Sequence, residues 1–192
     1  MIYKIAKGIL WIFASIWYQV EIEGWENLPE SGPYVLCSNH VSYADPVMLA
    51  FLAKKEPVHF IAKKELFQNP LLGWFFKKLN AFPVDRENAS LATMRHAMSV
   101  LQNKGILGIF PEGTRAKGRK LKPQGGYVVF AHKAKAPIVP VLVHYDSFKF
   151  RAKIKVIVGK PVYLTNYTSK RLKIEEISEI SQKIMDNIYD LH

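Results

Sequence analysis

Cysteine is nearly absent: Cys37 stands alone in 192 residues, which excludes an internal disulfide and a cysteine-rich zinc site. No stretch reaches the roughly 18 uncharged apolar residues that a membrane-crossing helix needs, so a polytopic membrane protein is excluded. Also missing are a P-loop, a dinucleotide-binding glycine fingerprint and a Gly-x-Ser-x-Gly nucleophile elbow. His59, His96, His132, His144 and His192 show no metal-ligand spacing, and no carboxylate cluster suggests a cation, so neither metal nor cofactor is expected. Acidic residues are scarce, 16 Asp plus Glu against 27 Lys plus Arg, for a formal net charge of +11. That balance points to an anionic partner: nucleic acid, a membrane surface, or a phosphorylated or carboxylated substrate. Apolar residues make up 49% and charged residues 22%, a composition that excludes disorder and predicts a real core.

Residues 1–18 are almost all apolar, broken by Lys4, Lys7, Gly8 and Ser15, with Trp11 in the same row. At 3.6 residues per turn these five form one narrow stripe on a helix whose remaining surface is apolar. Lys near its start, with Trp11, Trp17 and Tyr18 along it, suits the lipid–water boundary. The expectation is an uncleaved, amphipathic, membrane-facing helix over 1–18 followed by one domain over 19–192. A helix buried on the domain is the alternative. A cleaved signal peptide lacks support, because Tyr18-Gln19-Val20-Glu21 offers no small-residue cleavage site. At the far end, apolar residues at 174, 177, 180, 184, 188 and 191 oppose Glu175, Glu176, Glu179, Lys183 and Asp186. This reads as a closing structural helix without chemistry of its own.

Between the ends, strand-like runs fall at 19–23, 34–38, 58–61, 81–84, 106–110, 138–143 and 154–158. Helical patterns fall at 46–53, 70–79, 89–103 and 125–135. Asp45-Pro46 reads as a helix start with Asp45 as N-cap, and Lys104-Gly105 as the stop of the 89–103 helix. Alternating strands and helices without an internal repeat predict a single α/β domain, a mixed and largely parallel sheet flanked by helices. Such sheets place ligands beyond the carboxyl ends of their strands.

Three polar clusters follow three of these strands. The first is Ser38-Asn39-His40-Val41-Ser42-Tyr43-Ala44-Asp45. Within one turn Asp45 can reach back to an imidazole nitrogen of His40, fix its tautomer and stabilise the imidazolium, which makes His40 a general base. A capping Asp45 beside an ordinary loop His40 is the alternative. The second cluster, Val84-Asp85-Arg86, offers a planar guanidinium suited to phosphate or carboxylate, or else a surface ion pair. The third is Phe110-Pro111-Glu112-Gly113-Thr114-Arg115, where Gly113 permits a sharp turn with exposed backbone N–H groups. From Gly113 to Tyr145 there are seven Lys or Arg, Lys122 among them, and no acidic residue. The helix expected from Gly125 adds an N-terminus that favours anions.

The motifs resemble the PlsC-like glycerolipid acyltransferase family. His40 with Asp45 is similar to its His-x4-Asp motif, Phe82-Pro83-Val84-Asp85-Arg86 to its second block, Phe110 to Arg115 to its third and Pro137-Ile138-Val139-Pro140-Val141 to its fourth. Gly24-Trp25-Glu26-Asn27-Leu28-Pro29 and Ile61-Ala62-Lys63-Lys64-Glu65-Leu66 resemble the family as well, so the likeness runs from about Val20 to Pro161. It implies acyl transfer from an acyl thioester, acyl-CoA or acyl carrier protein, to the sn-2 hydroxyl of lysophosphatidic acid, giving phosphatidic acid, with another lyso-lipid acceptor as the alternative. It implies His40 as base, Asp45 as its orienting group, and no covalent acyl-enzyme. It further implies acceptor binding by Arg86, Glu112, Gly113, Thr114 and Arg115, with Lys122 as an added phosphate contact. The expected partners are that lysophospholipid, the thioester donor and an anionic membrane surface, at the cytoplasmic face of the cell membrane and without a transmembrane helix.

Departures from the pattern are Asn80-Ala81 where the second block usually has glycine, Ala116 where serine often follows the third, and one N-terminal helix rather than a pair. Cys37, three residues before His40, is read as a small buried residue rather than a nucleophile. From a different class comes a nucleic-acid-binding module or a non-catalytic anionic-lipid binder. Over Phe148–Val156, Lys149, Arg151, Lys153 and Lys155 alternate with apolar residues, which as one strand would present a basic face. No recognised nucleic-acid motif accompanies it, and no nucleic-acid partner is expected.

Overall fold

The segment Tyr-Val-Leu-Cys-Ser at 34–38 has no charged side chain, the composition of a strand covered on both faces. In a computed structural model, which describes residues 2–84, 91–116, 119, 121–167 and 171–191, it is the fully buried second strand of a sheet. Among these residues the strands are β1 (Gln19–Glu23), β2 (Tyr34–Ser38), β3 (Val58–Lys63), β4 (Ala81–Val84), β5 (Ile106–Ile109), β6 (Ile138–Tyr145) and β7 (Lys153–Val158). They lie in the order β1-β7-β6-β2-β5-β3-β4. β6 and β7 pair antiparallel and the other neighbours pair parallel. The expected mixed, largely parallel sheet flanked by helices is the fold observed.

The strand period of two divides the core into two layers. Tyr34 and Leu36 of β2 point to one side, where α1 (Ile2–Trp17), α2 (Asp45–Leu52) and α3 (Pro70–Lys78) pack. Val35 and Cys37 point to the other, against α4 (Leu91–Gln102), α5 (Gly126–Ala134) and α6 (Ile174–Tyr189). Gly108 of β5 is required by its neighbours: a Cβ there would lie 2.4 Å from the Phe60 ring. The missing side chain lets Phe60 of β3 lie over β5 and stack, at 6.3 Å between centroids, on Phe110 at the end of that strand.

Two expectations that bear on function change. Ala44, not Asp45, is the N-cap of α2, and Asp45 is its first helical residue. The carboxylate turns back to the preceding loop, where three N–H donors converge on it. The 148–156 segment is not one strand: the chain turns at 146–152, and only 153–158 belongs to β7. Arg151 takes φ +63° in that turn, and Phe148 and Phe150 stand exposed. The basic strand face is therefore broken where it was to begin. Finally, α4 is described from Leu91, and Asp85, Arg86 and Ala89 lie outside the described residues.

Helix α1 packs by the row Tyr3, Ala6, Lys7, Leu10, Trp11 and Ala14, so only part of the expected stripe meets the domain, and Lys4 and Gly8 face outward. Lys7 Nζ donates to the Ala53 carbonyl at 2.9 Å, and the Trp11 ring stacks on Phe51 at 3.4 Å between centroids. The Val58 N–H donates to the Tyr3 hydroxyl at 3.1 Å. Ile5, Ile9, Ile12, Phe13, Ile16 and Trp17 are left facing outward, Phe13 at 66% exposure. Apolar side chains thus lie on both the packed and the outward side of the helix, whereas an ordinary surface helix keeps its apolar stripe to the core. Among the described residues no helix is long and apolar enough to cross a membrane.

Candidate active site

β2, β5 and β6 are adjacent and parallel, so the loops leaving their carboxyl ends meet at one edge of the sheet. Asn39 locks the first of these loops in place. Its side-chain amide donates to the Val143 carbonyl at 2.9 Å and its Oδ1 accepts from the Val143 N–H at 2.8 Å. The amide thus continues the β2–β6 pairing one step past Ser38, using a side chain in place of backbone.

His40 follows immediately. Its Nδ1 lies 2.8 Å from Asp45 Oδ2. The same oxygen accepts from the backbone N–H groups of Val41 at 2.7 Å and Ser42 at 2.8 Å, and Oδ1 accepts from the Tyr145 hydroxyl at 2.7 Å. Asp45 is 0% exposed, and the backbone N–H groups around it can only donate. A buried carboxylate surrounded by donors is the acceptor in every contact, which assigns the imidazole proton to Nδ1 and leaves the Nε2 lone pair for a substrate proton. The ring is held flat on Phe110, 4.3 Å between centroids at 24°, so Phe60, Phe110 and His40 form an aromatic column rising from the core. Its side chain keeps 18% exposure, enough to meet a ligand.

Tyr145, at the last position of β6, has its phenol pushed well above the ordinary value by burial and then by the neighbouring Asp45 charge. It stays a donor at any working pH. Nothing near Tyr145 in sequence marks it; its position at the end of the strand beside β2 is visible only once strand order is known.

Glu112 serves the site from within. One carboxylate oxygen accepts from the His40 N–H at 2.8 Å and the other from the Tyr189 hydroxyl at 2.5 Å. Both oxygens are thereby engaged inside the fold, with the residue buried. Tyr189 sits at the end of α6, the helix to which the sequence assigned no chemistry. Burial and the Glu112 carboxylate push its phenol up as well. A further tie runs from the Ala116 N–H to the His40 carbonyl at 2.8 Å, so the third motif braces the first from two sides.

Gly113 adopts φ +69°, the left-handed turn that glycine permits. Thr114 is exposed. The Arg115 guanidinium lies 3.7 Å from the Tyr43 ring centroid and donates from Nη2 to the Tyr43 hydroxyl at 2.8 Å. This planar cation stands over the loop that carries His40, held by stacking. Lys122 is exposed in the segment leading to α5. Arg86 lies outside the described residues, and its place relative to His40 is not described. Cys37 is fully buried on the far layer, its thiol pushed up by burial, which removes the thiolate a nucleophile needs. Among the described residues no group of His, Cys, Asp and Glu is arranged to hold a metal.

The family model described as Acyltransferase matches residues 19–144. A protein named 1-acyl-sn-glycerol-3-phosphate acyltransferase from Bacillus subtilis (strain 168) is 32% identical over 194 residues, spanning 98% of this chain and 96% of that protein. A protein of the same name from Streptococcus pneumoniae is 31% identical, covering 79% of this chain and 57% of its own length. The crystal structure of the 1-acyl-sn-glycerophosphate (LPA) acyltransferase PlsC from Thermotoga maritima superposes with a TM-score of 0.74 at 23% identity. It covers 98% of this chain and 78% of that one.

Proposed function

Since the chain belongs to the acyltransferase family, we propose that it moves a fatty acyl group from an acyl thioester to the sn-2 hydroxyl of lysophosphatidic acid, forming phosphatidic acid. The observation that carries this reading is the His40–Asp45 pair, with Nδ1 committed to the carboxylate and Nε2 open. The Nε2 lone pair takes the acceptor hydroxyl proton as that oxygen attacks the thioester carbonyl carbon. Asp45 stabilises the imidazolium as it forms. The tetrahedral intermediate then collapses, the C–S bond breaks, and the imidazolium returns its proton to the departing thiolate. No serine or cysteine nucleophile enters, so no acyl-enzyme forms.

Arg115, held on Tyr43 at the mouth of the loop, binds the acceptor phosphate together with Arg86 and Lys122. The Gly113–Thr114 turn gives that binding site its shape. Glu112 supports binding indirectly, by fixing the His40 backbone. The donor is acyl-CoA or acyl carrier protein, both carrying the same thioester. The outward apolar row of α1 supports a peripheral seat on the membrane that holds the lipid acceptor, and in this reading that seat is at the cytoplasmic face, beside the donors.

The test supplies purified protein with one labelled donor of each kind and a panel of lyso-acceptors. Label is expected in phosphatidic acid from lysophosphatidic acid, and is expected to vanish in His40→Ala. Folded protein that transfers to no acceptor from either donor defeats the reading.

A further inference from the structure

Among the described residues, helix α3 is a second element that turns large apolar side chains to solvent. Leu71, Leu72, Trp74 and Phe75 all face outward, Leu71 at 78% and Trp74 at 57% exposure, and Leu66 in the turn before the helix joins them. Only Gly73 is buried, and Phe76 is the ring that turns inward to Phe67. This outward pose is built in. Asn69 caps the helix, accepting from the N–H groups of Leu71 at 3.0 Å and Leu72 at 3.1 Å. A Cβ on Gly73 would stand 2.9 Å from the Phe67 carbonyl oxygen, so the helix is pressed onto the 64–67 turn and cannot roll its apolar side under.

The surroundings of this patch are basic. Lys63 and Lys64 precede the helix and Lys77 and Lys78 close it, with Glu65, 3.6 Å from Lys63, the acidic residue among them. The Lys78 amine stands 5.9 Å from the Trp74 ring centroid. Aromatic rings beside lysine amines suit the headgroup level of a bilayer. Helices α1 and α3 pack on the same side of the sheet. On the opposite layer α6 turns Glu175, Glu179 and Asp186 to water.

We infer that α3 is a second foot on an anionic lipid surface, so that the α1–α2–α3 layer rests on the bilayer and α6 faces water; this rests on the membrane reading of α1. With two separated contacts the molecule has one defined attitude on the lipid, where a single helix would leave it free to swing.

Cys37 is the chain's single cysteine and is buried, so a cysteine placed on the surface takes a polarity-sensitive fluorophore alone. The full chain is labelled at Leu71→Cys, Ile12→Cys or Glu179→Cys. Each is mixed with vesicles of phosphatidylcholine containing phosphatidylglycerol, or of phosphatidylcholine alone. Labels at 71 and 12 should brighten and shift to the blue on the anionic vesicles, and the response at 71 should weaken as salt rises. The label at 179 should not respond. The double variant Leu72→Ser with Trp74→Ser should lose about ten-fold or more in vesicle affinity while keeping turnover on a short-chain, water-soluble acceptor. A response at 12 without one at 71 overturns the α3 foot and leaves the α1 reading standing. No response at either overturns both. A response at 179 equal to the others overturns the orientation. A concentration-dependent shift at 71 in buffer alone assigns α3 to a second copy of the chain and overturns the lipid contact.

Discussion

Replacing Tyr145 by Phe removes one oxygen from the site and keeps the ring, which packs edge-on to Tyr18 and against Phe148. That oxygen is the donor to Asp45 Oδ1 at 2.7 Å. The other carboxylate oxygen keeps its three donors, so Asp45 is left partly unsatisfied in a place no water reaches. A hydrogen bond to a buried charged group contributes about 1.5–3 kcal/mol. If roughly half of that acts on the orientation of His40 in the transition state, kcat falls about four- to thirteen-fold. The acceptor KM should hold, because the Tyr145 hydroxyl is committed to Asp45. A purely structural role would lower the melting temperature and leave kcat per folded enzyme unchanged. The decisive measurement is a double-mutant cycle with Asp45→Asn. Because Tyr145 works through the carboxylate, Tyr145→Phe should cost little further once that carboxylate is gone. Independent, multiplying losses in kcat, or a single variant within two-fold of the parent, would refute the positioning role.

Tyr189→Phe leaves Glu112 Oε1 without its donor from α6, and should lower unfolding free energy by about 1–3 kcal/mol, measured by urea denaturation, together with a fall in kcat; an unchanged midpoint would contradict the strut. Cys37→Ala should keep most of the activity and cost about 1 kcal/mol of packing, and the native thiol should resist a thiol reagent that reacts at once in denaturant. Rapid native labelling, or loss of turnover in Cys37→Ala, would count against direct attack on the thioester. Gly108→Ala drives a methyl into the Phe60 ring and should destabilise by about 1–3 kcal/mol, with turnover falling as the column beneath His40 shifts; a neutral melting curve would sink the close-packing argument.

The features legible in the sequence are those whose signal is local. β2 reads correctly because an uninterrupted apolar run needs no partner to be seen, and the Asp45–His40 pair because five residues separate them. Tyr145 lies 100 residues from Asp45 and Tyr189 lies 77 from Glu112, distances over which only the assembled sheet and helices bring side chains together. The hairpin at 146–152 was concealed for another reason: Arg151 takes the left-handed conformation with no glycine to announce it, and the alternation of charges on either side has the period of a strand. In α1 the period placed Lys7 and Trp11 on the packed side but also Lys4 and Gly8, which face outward. Which side of a helix meets the domain is a property of the surface beneath it, here the Ala53 carbonyl and the Phe51 ring, and no periodicity contains that. Asp45 looked like a cap because Asp-Pro favours helix starts; the donors of the preceding loop outcompeted the helix's own N–H groups for its oxygens.

The bond from Tyr189 to Glu112 also has a consequence in time. Synthesis runs from the amino end, so His40 and Asp45 leave the ribosome early, Tyr145 far later, and Tyr189 later still. A nascent chain therefore presents α1, with its outward apolar row, well before the His40–Asp45 pair is fully braced. A half-made chain carries the pair with its Val41 and Ser42 donors but without the Tyr145 hydroxyl or the Tyr189–Glu112 tie. The last of the bonds described around the pair arrives with the final turn of α6, and a ribosome that stalls before it leaves a chain with the motifs and without that brace.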